Sequence, residues 1–544
     1  MKKIIVLLTV FSLGISSCRK SAFREDELLG RRNAIESSEP ALLMSSIIQK
    51  SAYLYQNKGG MGARNLAAAM QYLQGNRSSD DNTYLGFRQP RTDLYEYTAV
   101  IRMVQAAIVD VNKKGLKSHE GIFRIFNSLL WATVTDLYGD VFYTEGLRGQ
   151  EGILFPKFDE QKDIYPALIQ NLKDAAQLIA DGKETLDKTY DVMYAGDKAK
   201  WIKLANSLRL RYLMRVSGKI NVNSDVAALA ALPLLADVPD NASIPYIDGN
   251  ASMSSPTGRL NNDPVGNFNI HRPCKTLVDT LKSLNDERLR IWVAPMEKPW
   301  AANTDSGKIA NGVRTIVQKG YTYTSQWEYI DRANPRIRAV TNVILDSMTL
   351  YAGYPAGSLV TVLNSNGSYD FSDTRMNFKI SKFTQLFNEN AHPLIRACIM
   401  LADEVQFLLA EAAVKGMITG NPETYYRKGV EYSYKRWGEV LPATYFTNPR
   451  AAFPATDKPK QLGVIGLQKW LALFMMANES YADYRRTRIP FMENNGELKT
   501  TINPFPLRYR YPESEMKNNA ENYQIAIGRL NQGDTEFSKM WLVQ

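Results

Sequence analysis

Cysteine and histidine are scarce in this chain, with three of each among 544 residues. So few thiols exclude a disulfide-dense scaffold, and His119, His271 and His392 stand too far apart to build a local His-rich metal site. There is also no membrane-length apolar run outside the N-terminus. The best candidate, Leu401 to Ala413, is interrupted by Asp403, Glu404 and Glu411, and a spanning helix needs roughly twenty apolar residues. Neither sign of charge forms a long run, although the formal net charge is +10. A nucleic-acid partner calls for a concentrated basic patch, so this spread points away from one. No G-x-S-x-G elbow, G-x-x-x-x-G-K-[ST] loop or H-E-x-x-H helix occurs. Paired carboxylates for glycoside hydrolysis leave no local signature, and choosing two among 56 acidic residues is arbitrary. The expectation is a protein without catalysis, cofactor or metal.

The N-terminus is the most informative segment that is present. Lys2 and Lys3 precede an apolar run from Ile4 to Leu13, followed by Ile15-Ser16-Ser17-Cys18. A basic start, a short apolar core and small residues before a cleavage point make a secretory signal and not a span. The ending resembles a bacterial lipobox, whose cysteine is lipidated and becomes the new N-terminus. The expected divisions are a signal peptide at 1–17, a lipidated linker at 18–36 with Cys18 as the lipid site, and one domain at 37–544. Lys2 and Lys3 leave with the signal, so the 66 basic residues become 64 against 56 acidic ones. Cys274 and Cys398 are the remaining thiols. Their apolar contexts favour two buried free cysteines over a single disulfide.

Most of the chain reads as helix. Ser37-Ser38-Glu39-Pro40 is a start signal, with hydroxyls ahead of a first-turn proline. The spacing predicts helices over residues 40–56, 61–72, 94–111, 121–137, 164–181, 402–415, 422–436 and 462–485. The clearest is Trp201 to Ser217, where Trp201, Leu204, Ala205, Leu208, Tyr212, Leu213 and Val216 line one face of a 3.6-residue helix. Several helices come as pairs joined by short turns, similar to tetratricopeptide hairpins without the full repeat consensus. Stacked hairpins bury a continuous core. Between Ala236 and Tyr369, proline, glycine, asparagine and serine rise and helical periodicity fades, apart from Lys275 to Leu289. Leu359 to Leu363 reads as a strand before the turn Asn364-Ser365-Asn366-Gly367. The expected architecture is mainly α, about four tetratricopeptide-like hairpins, with a loop-rich insertion over about 236–370.

At this point the motifs resemble a family. Trp131-Ala-Thr-Val-Thr135-Asp136-Leu-Tyr138-Gly139-Asp140-Val141 and Lys200-Trp201-Ile-Lys-Leu-Ala-Asn206-Ser207-Leu208-Arg209-Leu210-Arg211 come first. Glu404 to Ala412, Gln468-Lys469-Trp470, Glu479 to Asp483, Arg485-Arg486-Thr487 and Arg510-Tyr511-Pro512-Glu513 follow in order, with Asn518-Asn519. Together they resemble the SusD/RagB family of nutrient-binding outer-membrane lipoproteins of Bacteroidetes. The resemblance implies a SusD-like helical fold with four hairpins and an elaborated ligand-binding side. It implies capture of an oligomeric nutrient, a glycan before an oligopeptide, and delivery to a SusC-like TonB-dependent barrel over which the protein acts as a lid. A purely structural helical subunit of the transporter is the other reading. Departures are Asp286-Glu287-Arg288 for the usual Asp-Pro-Arg, Met540-Trp541 at a tryptophan-rich C-terminus, and Arg19-Lys20 after the lipid site. The acidic cluster that accompanies surface export begins only at Glu25, and outward display is still expected.

The family motifs read as structural. Asp136 and Asp140 flank Tyr138-Gly139 at a helix end, and Arg209, Arg211, Arg485 and Arg486 sit where ion pairs would fix one hairpin against another. Ligand contacts are expected from aromatics in irregular segments, because sugars present C–H patches beside hydroxyls. The first segment, Gly75 to Arg91, contains Asn76, Arg77, Asp80, Asp81, Tyr84 and Phe87. Asp80 and Asp81 also suit a turn, and their spacing matches no calcium loop. The second segment, Pro299 to Tyr329, contains Trp300, Asn303, Asp305, Tyr321, Tyr323, Trp327 and Tyr329. From Tyr321 to Tyr329 aromatic and polar residues alternate, so an extended strand puts four rings on one face. The same pattern also suits a half-buried strand packed on a core.

Overall fold

The computed structural model describes residues 39–60, 64–75, 81–261, 271–302, 312–330, 347–357, 379–490, 492 and 504–544. Cys18, Ser37 and Ser38, the strand expected at Leu359 to Leu363 and its turn lie outside these residues.

The first helix, α1 (Pro40–Gly59), starts with Pro40 in its first turn, where the missing N–H costs nothing. After the short α2 (Arg64–Ala69) come α3 (Asp93–Lys113), α4 (Lys117–Tyr138), α5 (Gln161–Asp181) and α6 (Lys198–Val216). Two further helices from the expected pattern are α10 (Ala402–Val414) and α11 (Pro422–Arg436), with α12 (Lys458–Ala472) and α13 (Ala477–Thr487) after them. Between these groups lie α7 (Asn223–Ala230), α8 (Lys275–Leu284) and α9 (Arg288–Trp292), and α14 (Glu513–Asn518) and α15 (Ala520–Gly528) close the chain. Each helix packs on its neighbour: α3 on α4, α4 on α5, α5 on α6, α10 on α11, and α12 back on α10. Asp197, Asn421 and Asp457 cap α6, α11 and α12 by accepting from first-turn N–H groups.

Two expected helices are broken. The segment 462–485 divides at residues 473–476, with neither glycine nor proline to stop it. Here Tyr72 Oη donates to the Trp470 carbonyl at 2.6 Å and Arg436 donates to that of Ala472 at 2.9 Å. Distant side chains satisfy the last carbonyls of α12, and Phe474 stacks on Trp292 with centroids 4.4 Å apart. Helix α13 then turns onto α1 and α2. The segment Lys275 to Leu289 ends at Leu284 because Asn285 takes a left-handed conformation, φ +52°, and caps it.

Buried ion pairs join the hairpins, and the family motifs supply them. Arg211 on α6 makes two hydrogen bonds to Glu404 on α10, at 2.7 and 2.5 Å. Arg215 bridges Asp136 on α4 and Glu479 on α13. Arg486 holds Glu411 and Asp483, which Lys469 also contacts. Removing one member of such a pair strands a buried charge and costs about 3–5 kcal/mol. Arg485 differs from expectation: it donates to the Leu507 and Asp136 carbonyls and not to a carboxylate. Asp140 caps the start of α5 through the Gln161 N–H and pairs with Arg529. Asp286, Arg288, Ser433, Gln468 and Tyr445 form another closed buried network. Cys274 and Cys398 are free and buried, as expected.

The irregular middle is tied to this frame by two-stranded pairings. Strand β1 (Leu73–Gly75) pairs antiparallel with β3 (His271–Pro273), and β2 (Ala242–Pro245) with β8 (Arg396–Met400). Farther out, β4 (Trp300–Ala302) runs parallel to β7 (Glu328–Ile330), and β5 (Val313–Gln318) forms a hairpin with β6 (Tyr321–Gln326).

Candidate functional site

The cleft with the composition of a small-molecule site lies along β6. Its volume is about 460 Å³, within the range of roughly 300–1,000 Å³ usual for such sites. Three pieces of chain build it: β6, residues 294–298, and residues 382–385. Backbone hydrogen bonds hold these together, from Ala294 N–H to the Lys382 carbonyl and from Gln326 N–H to that of Glu297, both at 2.8 Å. The Ser325 hydroxyl adds a donation to Met296 O at 2.6 Å.

Tyr323 and Phe383 supply rings and Gln385 an amide, and Thr322, Thr324 and Gln326, on the other face of β6, border the cleft. The Tyr323 hydroxyl accepts from Gln385 N–H at 3.0 Å, which fixes the ring. Burial pushes its pKa up, so it stays a neutral phenol. Lys382 pairs with Glu297 at 2.5 Å on the cleft wall. Lys298 and the buried Lys379 both reach Glu328, at 3.2 and 2.6 Å. Burial alone would raise the Glu328 carboxyl, but the Lys379 hydrogen bond and the two ammonium charges outweigh it and hold it below its ordinary value. The site therefore carries an aromatic face, neutral polar edges and a paired charged rim. It presents donors and acceptors for hydroxyl groups.

The expected nine-residue aromatic strand is corrected: it breaks at Trp327, leaving β6 and β7. Residues 321, 323 and 325 do share the more buried face of β6, while Thr322, Thr324 and Gln326 are exposed. Tyr321 is half-buried and donates its hydroxyl to Glu389. Trp327 is buried, and Tyr329 pairs with Ala301 across β4 and β7. Trp300 is fully buried. Among the named aromatics, Tyr323 is the one that lines the cleft.

The first segment lies elsewhere. Tyr84 packs edge-on to Phe505, and the fully buried Phe87 packs against Tyr481 and Tyr509. Asp81 heads the turn into the short 3-10 helix Leu85–Phe87, its carbonyl accepting from Tyr84 N–H. These contacts join the segment to α13 and the C-terminal stretch, and none brings it to the cleft. Asn76, Arg77, Asp80, Asn303 and Asp305 lie outside the described residues. Sequence reasoning missed Glu297, Lys298, Lys382, Phe383 and Gln385. The first two sit just ahead of the segment that begins at Pro299, and residues 382–385 follow a segment with no periodic signal. Among the described residues, no group of three or more His, Cys, Asp or Glu is placed to hold a metal ion, and no helix is long and apolar enough to cross a membrane.

A SusD-like family model described as starch-binding associating with outer membrane matches residues 32–352 and 316–512. Among solved structures, a SusD homolog from Bacteroides fragilis is similar over 93% of this chain and 100% of that one, with 23% identity and a TM-score of 0.71. A SusD homolog from Bacteroides uniformis matches over 92% and 99%, with 18% identity and a TM-score of 0.69. A chitin-binding protein matches over 93% and 100%, with 20% identity and a TM-score of 0.68. No curated protein sequence matches.

Proposed function

The chain belongs to the SusD-like family of outer-membrane nutrient-binding proteins, and from that premise we propose that it captures an oligosaccharide at the cell envelope and passes it to a SusC-like TonB-dependent barrel. It performs no chemistry on the cargo. One observation carries the choice of a glycan: the cleft brings the fixed ring of Tyr323 together with Phe383, Gln385 and the Glu297–Lys382 pair, while Thr322, Thr324 and Gln326 border it from the other face of β6. A sugar offers C–H patches to a ring face and hydroxyls to amides and threonines, so this composition suits it. The chitin-binding relative supports the same class of ligand. Tyr321 shares β6 with Tyr323, and Trp327 and Tyr329 follow it in the chain; none of the three lines the cleft, so the proposed aromatic contact falls to Tyr323. Trp300 is fully buried and pairs through β4 with Glu328 of β7. An N-terminal lipid on Cys18 would keep the protein beside its barrel and raise the effective concentration of the pair.

A glycan array and a peptide library, both probed with the full chain, test the cargo. Oligosaccharide binding that Tyr323→Ala weakens about tenfold, the scale of a lost aromatic contact of about 1.4 kcal/mol, is the expected result. Binding confined to peptides, or glycan binding indifferent to Tyr323, would overturn it. Candidate oligomers recovered uncut after incubation would agree with the absence of catalysis.

A further inference from the structure

Among the described residues, the outer edge of strand β5 is open. The hairpin closes through Lys319 and Gly320, both at positive φ (+47° and +82°), as a two-residue type I′ turn requires. Gln318 and Tyr321 therefore form the hydrogen-bonded pair next to the turn, and such pairs alternate along an antiparallel ladder. Ile316 with Tyr323 and Arg314 with Ser325 are the next hydrogen-bonded pairs. The backbone groups of Val313, Thr315 and Val317 then point away from β6. The opposite edge follows the same rule: Gln326, opposite Val313, sends its N–H outward to the Glu297 carbonyl. So β6 is joined to the body while β5 faces solvent. The outward backbone groups of Val313, Thr315 and Val317 have no partner among the described residues.

The side chains along this edge are unguarded as well. Natural edge strands are blunted by proline, bulges or outward charges. On the exposed face of β5 stand Val313, Thr315 and Val317, and the two valines are 62% and 68% exposed. The only charge in the strand, Arg314, is exposed as well but projects from the other face.

This edge is complementary to itself. A two-fold axis through Thr315 places Thr315 opposite Thr315 of a second copy, and Val313 opposite Val317. All three are outward-pointing positions, so each pairing exchanges two backbone hydrogen bonds. The resulting cross-strand pairs, Thr–Thr and Val–Val, are favourable ones, and Arg314 meets Ile316 rather than another cation. An extended peptide adding to the same edge would need pockets for its alternate side chains, and none of the cavities described above lies along β5. We propose that β5 is a self-association edge, through which two copies of this chain join their hairpins into one four-stranded antiparallel sheet. Such a contact is isologous and closes at two copies.

Sedimentation of the full chain over a wide concentration range tests this. Wild type should pass from monomer to dimer. Thr315→Lys sets like charges face to face and should weaken the dimer about a hundredfold or more. Thr315→Glu should do the same, and an equal mixture of the two variants should dimerise again. Unchanged thermal midpoints verify folding, as expected for an exposed position. If Thr315→Lys folds poorly, Val317→Pro removes an outward donor on an edge that tolerates proline and should abolish the dimer too. A wild-type chain that stays monomeric, a Thr315→Lys chain that dimerises like wild type, or a mixture that fails to recover would each overturn the proposal.

Discussion

At the scale of residues, the buried charges are what give this molecule a pH profile. Burial would raise the Glu479 carboxyl, but Arg211 and Arg215 outweigh it and hold it at about 2, against an ordinary value of 4.5. Between those two values the unfolded chain has taken up a proton that the folded chain refuses. Stability contributed by Glu479 is therefore complete above about pH 4.5 and is lost as the pH falls toward 2. Glu404, which shares Arg211 with Glu479, is pushed the opposite way by burial, to about 7, so the pair and not Glu479 alone sets the size of the loss. Thermal midpoints measured across this range should fall steeply with acid. Glu479→Gln should be less stable at neutral pH and show a shallower fall; an unchanged slope would mean that Glu479 is not the group responsible. The arginine and carboxylate motifs were legible as structural in the sequence, because charges repeated on helical faces have few other uses. Their partners were not, since Arg215 reaches Glu479 across 264 positions of chain. The place of Tyr323 on a strand was legible for a different reason. The residue's alternation with threonines marks a strand with one wet face, whereas Phe87 and Trp300, singled out as aromatics in irregular segments, lack that alternation and are buried.

At the scale of elements, helix spacing is set by contacts that composition does not display. Gly121 lies inside α4 where α5 crosses it, and a Cβ there would stand 2.6 Å from both the Ala175 carbonyl oxygen and Ile179 Cγ1. Alanine is the better helix former by about 1 kcal/mol. Backbone cannot yield as a side chain can, so overpacking at this crossing should cost about 1–3 kcal/mol and Gly121→Ala should lower the urea midpoint. Gly463 in α12 is the internal contrast. Nothing stands within 4 Å of its Cβ position, so Gly463→Ala should raise the midpoint. Equal effects at the two sites would show that propensity and not helix approach governs them. The same distinction explains which helices the sequence displayed. A single amphipathic face, as on α5 with Ile164, Tyr165, Leu168, Leu172, Ala175 and Ile179 buried, is visible as a period. The division between α12 and α13 is made by Tyr72 and Arg436 from elsewhere in the chain, and no local signal announces it.

At the scale of the whole molecule, the proposed capture and delivery would be separable properties that part at the N-terminus. The cleft is built entirely from β6 and residues 294–298 and 382–385, far in sequence from Cys18. Ligand recognition should then be independent of how the chain is anchored. Delivery should not be, because a receptor bound to the barrel with modest affinity depends on the concentration that a tether supplies. Replacing Cys18 by alanine should remove the acyl group detectable by mass spectrometry and release the protein from the membrane fraction. It should also abolish co-purification with a large barrel protein under gentle extraction. Glycan binding by the purified variant should remain within about twofold of wild type, since no cleft contact changes. Retention in the membrane fraction after this substitution would mean that the barrel contact alone holds the protein, and lidding would not need a lipid. Loss of glycan binding together with release would instead place part of the ligand site at the N-terminus, away from β6.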